Sequence, residues 1–278
     1  MLALAILPPI VLVLVLASPR EAAAHSDLAE QIAAVTARIE ADPRRGSLYL
    51  QRGELHRAHR DWALALADYD RAAALDPGLP AVDLARAAVS LDADRPEAAL
   101  AAIDRFLVRQ PDRADGWALR GRILARLHRP LEAAEDWDRA IRASSRPRPE
   151  QYLERASALA AGGRIDGAVA ALDEGIRRLG AIVTLELAAV ELELAHARYD
   201  AALARVDRLA AAAPRKEQWL LRRGEILEQA GRPAEAREAF AGALVAVQAL
   251  PEARRRTRAV GDIETRSRNA LLRLEEKP

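Results

Sequence analysis

Cysteine is absent from the 278 residues. Disulfides, thiolate nucleophiles, cysteine-ligated zinc and lipidated cysteine are thereby excluded. Aromatic residues are scarce, with two Phe, four Tyr and four Trp, and no alternating β-rich stretch of any length occurs. Glycine and proline, 14 and 15 residues, are too few for a collagenous or low-complexity chain. Lysine is nearly missing: Lys216 and Lys277 stand beside 40 arginines. Neither sign of charge is in surplus, since 42 basic and 41 acidic side chains leave +1. A chain that coats nucleic acid needs a positive excess, so no nucleic acid partner is expected. What abounds is alanine, at 64 residues. It is the best helix former but fills a thick core poorly.

Leu2 to Ala17 is an unbroken apolar run, followed by Ala22-Ala23-Ala24. A short apolar segment ending near an A-x-A tripeptide reads as a secretory signal peptide over 1–24, cleaved after Ala24. As a helix the run would reach about 24 Å, short of the roughly 30 Å hydrocarbon core. The alternative is an uncleaved inner-membrane anchor through residues 2–17. The expected location is periplasmic or secreted.

The chain repeats itself every 34 or 35 residues. One column holds Gly53, Ala87, Gly121, Ala156, Val190 and Gly224. A second is Ala65, Ala99, Ala133, Ala168, Ala202 and Ala236, continuing to Ala270. A third is bulky: Tyr69, Ile103, Trp137, Leu172, Val206 and Phe240. A fourth holds Ala72, Phe106, Ala140, Gly175, Leu209 and Ala243. Within each unit apolar residues recur at three- and four-residue spacing, the period of amphipathic helices. Two helices fit in one unit, with breaks near Arg60-Asp61, Asp94-Arg95-Pro96, Gly163-Arg164 and Gly231-Arg232-Pro233. A small residue is needed where two helix backbones approach closely, and an alanine and a bulky residue four places on share one face. Pro43, Pro77, Pro111 and Pro214 close units, because the ring cannot continue the helix.

The aromatic before the glycine (Tyr49, Trp117, Tyr152), the glycine, the alanine column, the bulky column and the closing proline resemble the tetratricopeptide repeat family. The resemblance implies an all-α, right-handed α-solenoid of stacked antiparallel helix pairs. Six units are expected over 46–250: 46–79, 80–113, 114–148, 149–182, 183–216 and 217–250. A half-unit helix precedes them at 28–43, and a basic capping helix follows at 251–278. Asp83 and Glu186 stand where an aromatic is usual, and the fifth unit should deviate most.

By the same resemblance, first helices line a concave groove and the protein is a non-catalytic scaffold binding a peptide or protein segment. The inner-face candidates in the first unit are Leu50, Gln51, Glu54 and Arg57. They are Ala118, Arg122 and Arg126 in the third, Glu191 in the fifth, and Leu221, Arg222, Glu225 and Glu228 in the sixth. The N-terminal half thus leans basic and the C-terminal half acidic. Members that grip a terminal carboxylate use groove Lys and Asn; the sole Asn here is Asn269, and neither Lys falls on an inner face. A tethered assembly subunit of a cell-envelope complex, or a regulator of an enzyme, are the alternatives.

No catalytic motif of the H-E-x-x-H, G-x-S-x-G or G-x-x-x-x-G-K type occurs. No catalytic, cofactor or metal residue is therefore expected. His56 and His59 could share a metal, but no third ligand is evident. Asp68/Asp70 and Asp136/Asp138, spaced i, i+2, do not face each other on a helix and read as solvated surface. Trp219 falls one place from its aromatic column, as shifted core or as a groove contact. Arg254, Arg255, Arg256 and Arg258 form the densest charge run. They suit a polar cap, or a weak contact with an anionic membrane.

Overall fold

The computed structural model describes residues 19–180 and 182–275. These form fifteen helices and no strand. The apolar run 2–17 lies outside the described residues. Two units are delimited at Pro111/Asp112. The first comprises α1 (Pro19–Ala41), then the pairs α2 (Gly46–Ala58) with α3 (Trp62–Leu75) and α4 (Ala81–Asp92) with α5 (Pro96–Arg109). The second has four pairs: α6 (Ala114–Arg126) with α7 (Pro130–Ala143), α8 (Pro149–Ala161) with α9 (Ile165–Leu179), α10 (Val183–Ala195) with α11 (Tyr199–Ala212), and α12 (Glu217–Gln229) with α13 (Pro233–Gln248). It ends in α14 (Glu252–Arg255) and α15 (Arg258–Glu275). α1 begins well before residue 28. The single helix expected over 251–278 is two: Pro251 opens a short turn of helix, and the Thr257 hydroxyl donates to the Arg254 carbonyl at 2.8 Å before α15 starts.

Each pair turns in the same way. One residue per turn is left-handed, with φ between 54° and 76°: Arg60, Asp94, His128, Gly163, Ala197 and Gly231. The next N–H donates five residues back, as Asp61 to His56, Arg164 to Leu159 and Arg232 to Leu227 at 2.8, 2.8 and 2.9 Å. This Schellman closure satisfies the last carbonyls of the first helix. Only Gly163 and Gly231 adopt it without steric cost; an L side chain costs about 1–2 kcal/mol there. Pro96, Pro130 and Pro233 then open second helices, where the missing N–H forfeits no intrahelical bond.

The columns pack as their sizes require. Ala65, Ala99, Ala133, Ala168, Ala202 and Ala236 are all 0% exposed. The bulky column is buried throughout, from Tyr69 at 0% to Trp137 at 6%. A Cβ built on Gly121 would lie 3.0 Å from the Trp137 ring nitrogen, and one on Gly224 would lie 2.6 Å from Phe240 Cε1. The Gly53 position meets Tyr69 in the same way. Where the first helix carries Ala87, Ala156 or Val190, the partner column carries the smaller Ile103, Leu172 or Val206. Glycine in this column makes room for a ring on the paired helix.

Charge also enters the core. Asp68 and Asp136, expected on a solvated face, are 5% and 1% exposed. Arg52 grips Asp68 through Nε and Nη2 at 2.8 and 2.6 Å. Arg120 Nη1 donates to both Asp136 oxygens at 3.1 and 3.0 Å, and Arg139 Nη1 adds a bond at 2.7 Å. Burial raises the Asp136 pKa above its ordinary value, and the two arginines act against that shift. Asp70 and Asp138 lie nearer solvent, where Arg86 and Arg155 of the following repeats reach them.

Candidate partner-binding face

In the first unit, α2 presents Gln51, Glu54 and Arg57. Gln51 is exposed and accepts from Arg38 Nη1 at 3.1 Å. Glu54 accepts from the Tyr69 hydroxyl at 2.9 Å and from Arg57 Nε at 3.1 Å. Arg57 Nη1 also donates to Asp92 at 2.7 Å. The Arg57 charge is therefore matched by carboxylates. His56 and His59 both face Asp61, at 3.8 and 2.8 Å. Among the described residues no group of three His, Asp or Glu could hold a metal ion.

Tyr69 carries a testable consequence. Burial, followed by the Glu54 carboxylate, pushes its hydroxyl well above the ordinary 10.0. Above pH 10 the unfolded chain gives up this proton while the folded chain keeps it, so stability falls as pH rises. Tyr69→Phe should cost about 1.5–3 kcal/mol at neutral pH through the lost bond to a charged acceptor. It should also flatten the alkaline fall. Urea unfolding at neutral pH and above pH 10 measures both effects; an equally steep fall in the variant would contradict the assignment.

In the second unit, Arg122 and Arg126 are exposed on α6. Glu191 of α10 pairs with Arg222 of α12, which also lies 3.5 Å from Glu225. Arg266 of α15 pairs with Glu225, and Arg273 of α15 with Glu228 at 3.1 Å. The structure thus brings Glu191, Arg222, Glu225 and Glu228 together with α15. The acidic end expected from the first helices alone is neutralised by the last one. Leu221, read as an inner-face residue, is buried at 4%. Trp219 is core at 8%, in a column one place earlier with Leu48, Val82 and Leu185. Arg254, Arg255, Arg256 and Arg258 are all exposed, and Arg256 pairs with Glu252 at 2.5 Å. Among the described residues no helix is long and apolar enough to cross a membrane.

Two cavities stand out between successive first helices of this unit. One, of about 280 Å³, has Trp137 in its wall and is bounded by Ala125 and His128 on one side and Glu154, Ser157 and Ala161 on the other. The other, of about 460 Å³, includes Leu172, with Leu153, Ser157 and Ala160 of α8 facing Ala188, Glu191 and Leu192 of α10. Of the candidate residues, Glu191 lines the larger of these two cavities. The apolar residues around it were missed because leucine and alanine on a first helix read as core. The available signal was α10 itself, Val-Thr-Leu-Glu-Leu-Ala-Ala-Val-Glu-Leu-Glu-Leu-Ala, which carries more apolar residues than one buried stripe uses.

A family model described as tetratricopeptide repeat matches residues 83–149 and 187–253. No curated protein matches the chain. Among solved structures, a tetratricopeptide repeat protein from Parabacteroides merdae is 16% identical, with a TM-score of 0.54, covering 90% of this chain and 96% of its own. The C-terminal part of a repeat protein from Cytophaga hutchinsonii is 14% identical at 0.57, covering 82% and 96%. PilW, a widely conserved type IV pilus biogenesis factor, is 17% identical at 0.51, covering 79% and 98%. These likenesses show the fold. The matched family model, with the repeating columns and the shared turn, marks residues 83–149 and 187–253 as tetratricopeptide repeats.

Proposed function

We propose that the chain is a non-catalytic, exported scaffold that binds a protein or peptide segment across the first helices of its second unit. Tetratricopeptide proteins generally mediate protein–protein interaction. The observation that carries the reading here is the pair of cavities between successive first helices, with the exposed Arg122 and Arg126 nearby in sequence on α6. Apolar surface left open at a rim of charge marks an interaction site. Export rests on the apolar run 2–17 and the Ala22-Ala23-Ala24 tripeptide. A photo-crosslinking residue at Leu192 should capture the partner in cells, and the recovered protein should begin at His25. Recovery with Met1 intact would remove the cleaved-export reading.

A further inference from the structure

The two cavities are the same site used twice. Glu154 and Ala188, Ser157 and Glu191, and Ala158 and Leu192 are each related by 34 positions, and each pair supplies equivalent lining residues. Ser157 borders both cavities. Their separation is therefore one repeat step between neighbouring first helices, on the order of 10 Å. An extended polyproline-II segment rises about 3.1 Å per residue with three residues per turn. Its side chains at i and i+3 lie on one face roughly 9.3 Å apart, matching that step.

The rims select charge. Glu154 is exposed and has no ion pair among the described residues. Glu191 is 63% exposed, and its pairing with Arg222 leaves much of its surface to solvent. Resting on the scaffold reading above, we propose that the paired cavities bind an extended protein segment. It places apolar side chains at i and i+3 in the two cavities and carries an arginine or lysine between them, facing Glu154 and Glu191. The apolar anchors cover the part-exposed Leu153 and Leu192, and the cation complements the Glu154 and Glu191 carboxylates.

The probe is a fluorescein-labelled peptide, Gly-Pro-Leu-Arg-Pro-Leu-Arg-Pro-Gly, titrated into the full chain and followed by anisotropy. Saturable binding is expected, with a shift in tryptophan emission that Trp137→Phe abolishes. Affinity should fall about tenfold or more when the two leucines are moved to i and i+5, and again in Ala188→Arg. Exchanging both peptide arginines for glutamate should weaken binding and reverse its salt dependence. Ser157→Arg, at an exposed position shared by both cavities, provides a second variant should Ala188→Arg fail to fold. Absence of binding, equal binding of the i, i+5 peptide, or binding unchanged in a folded variant would overturn the proposal. If the peptide fails while Leu192 still crosslinks to a partner, the scaffold reading stands and the extended-segment assignment falls.

Discussion

Arg205→Met should destabilise the second unit by about 3–5 kcal/mol, the usual cost of removing one partner from a buried ion pair. Arg205 occupies the column that holds Asp68 and Asp136 in the first and third repeats. In the fifth repeat the charges are exchanged between the helices. Arg205 on α11 is 5% exposed and donates to Glu193 at 2.9 Å, Glu186 at 3.2 Å and Asp173 at 2.8 Å. Burial opposes its charge, yet the bonds to Asp173 and Glu193 outweigh burial and raise its pKa above that of a free guanidinium. Glu193 and Glu186 are 3% and 6% exposed, and one Glu193 oxygen has no partner among the described residues. Methionine would fill similar volume and leave these carboxylates unmatched, apart from the 3.6 Å approach of Arg208 to Glu186. Glu186→Leu and Glu193→Leu added to Arg205→Met should restore most of the loss, because an apolar replacement of the whole cluster leaves no charge buried. Hydrogen exchange over α10 and α11, with urea unfolding, measures the effect. A single substitution costing less than about 1 kcal/mol would show that the cluster is solvated.

Gly224→Ala should destabilise despite replacing glycine within a helix. Alanine improves helix propensity by about 1 kcal/mol. Overpacking against Phe240, whose ring atoms lie 2.6–2.9 Å from the new Cβ, costs about 1–3 kcal/mol. In a Phe240→Leu background the ring is gone and the same substitution should become stabilising by about 1 kcal/mol. The chain already contains that solution as Ala156 with Leu172 and Ala87 with Ile103. A double-mutant cycle should therefore show a coupling of about 1–3 kcal/mol with a reversal of sign. Additive costs would mean that residues 224 and 240 do not share one packing site.

The columns were legible because they are one-dimensional: a position buried in every repeat recurs at a fixed interval. The turn was legible through Gly163 and Gly231, although Arg60, Asp94, His128 and Ala197 adopt the same left-handed conformation without the glycine signal. Charge was less legible. Whether Asp136 faces solvent depends on arginines 16 residues earlier and three later, so the spacing of the acids alone misplaced it. The acidic lean of the sixth repeat was real in the first helix. Its cancellation comes from Arg266 and Arg273, 41 and 45 residues beyond the glutamates they meet. The cavities were invisible for a related reason. Ala188 and Leu192 carry the composition of core residues, and only the geometry between α8 and α10 leaves them open.

Position-specific crosslinking tests the functional account most directly. A photoreactive residue at Leu192, lining the larger cavity, is compared with one at Val245, 66% exposed on α13. A partner adduct is expected from Leu192 that is absent or much weaker from Val245, and that Ala188→Arg abolishes. Equal adducts from both positions, or an adduct from Val245 alone, would contradict it.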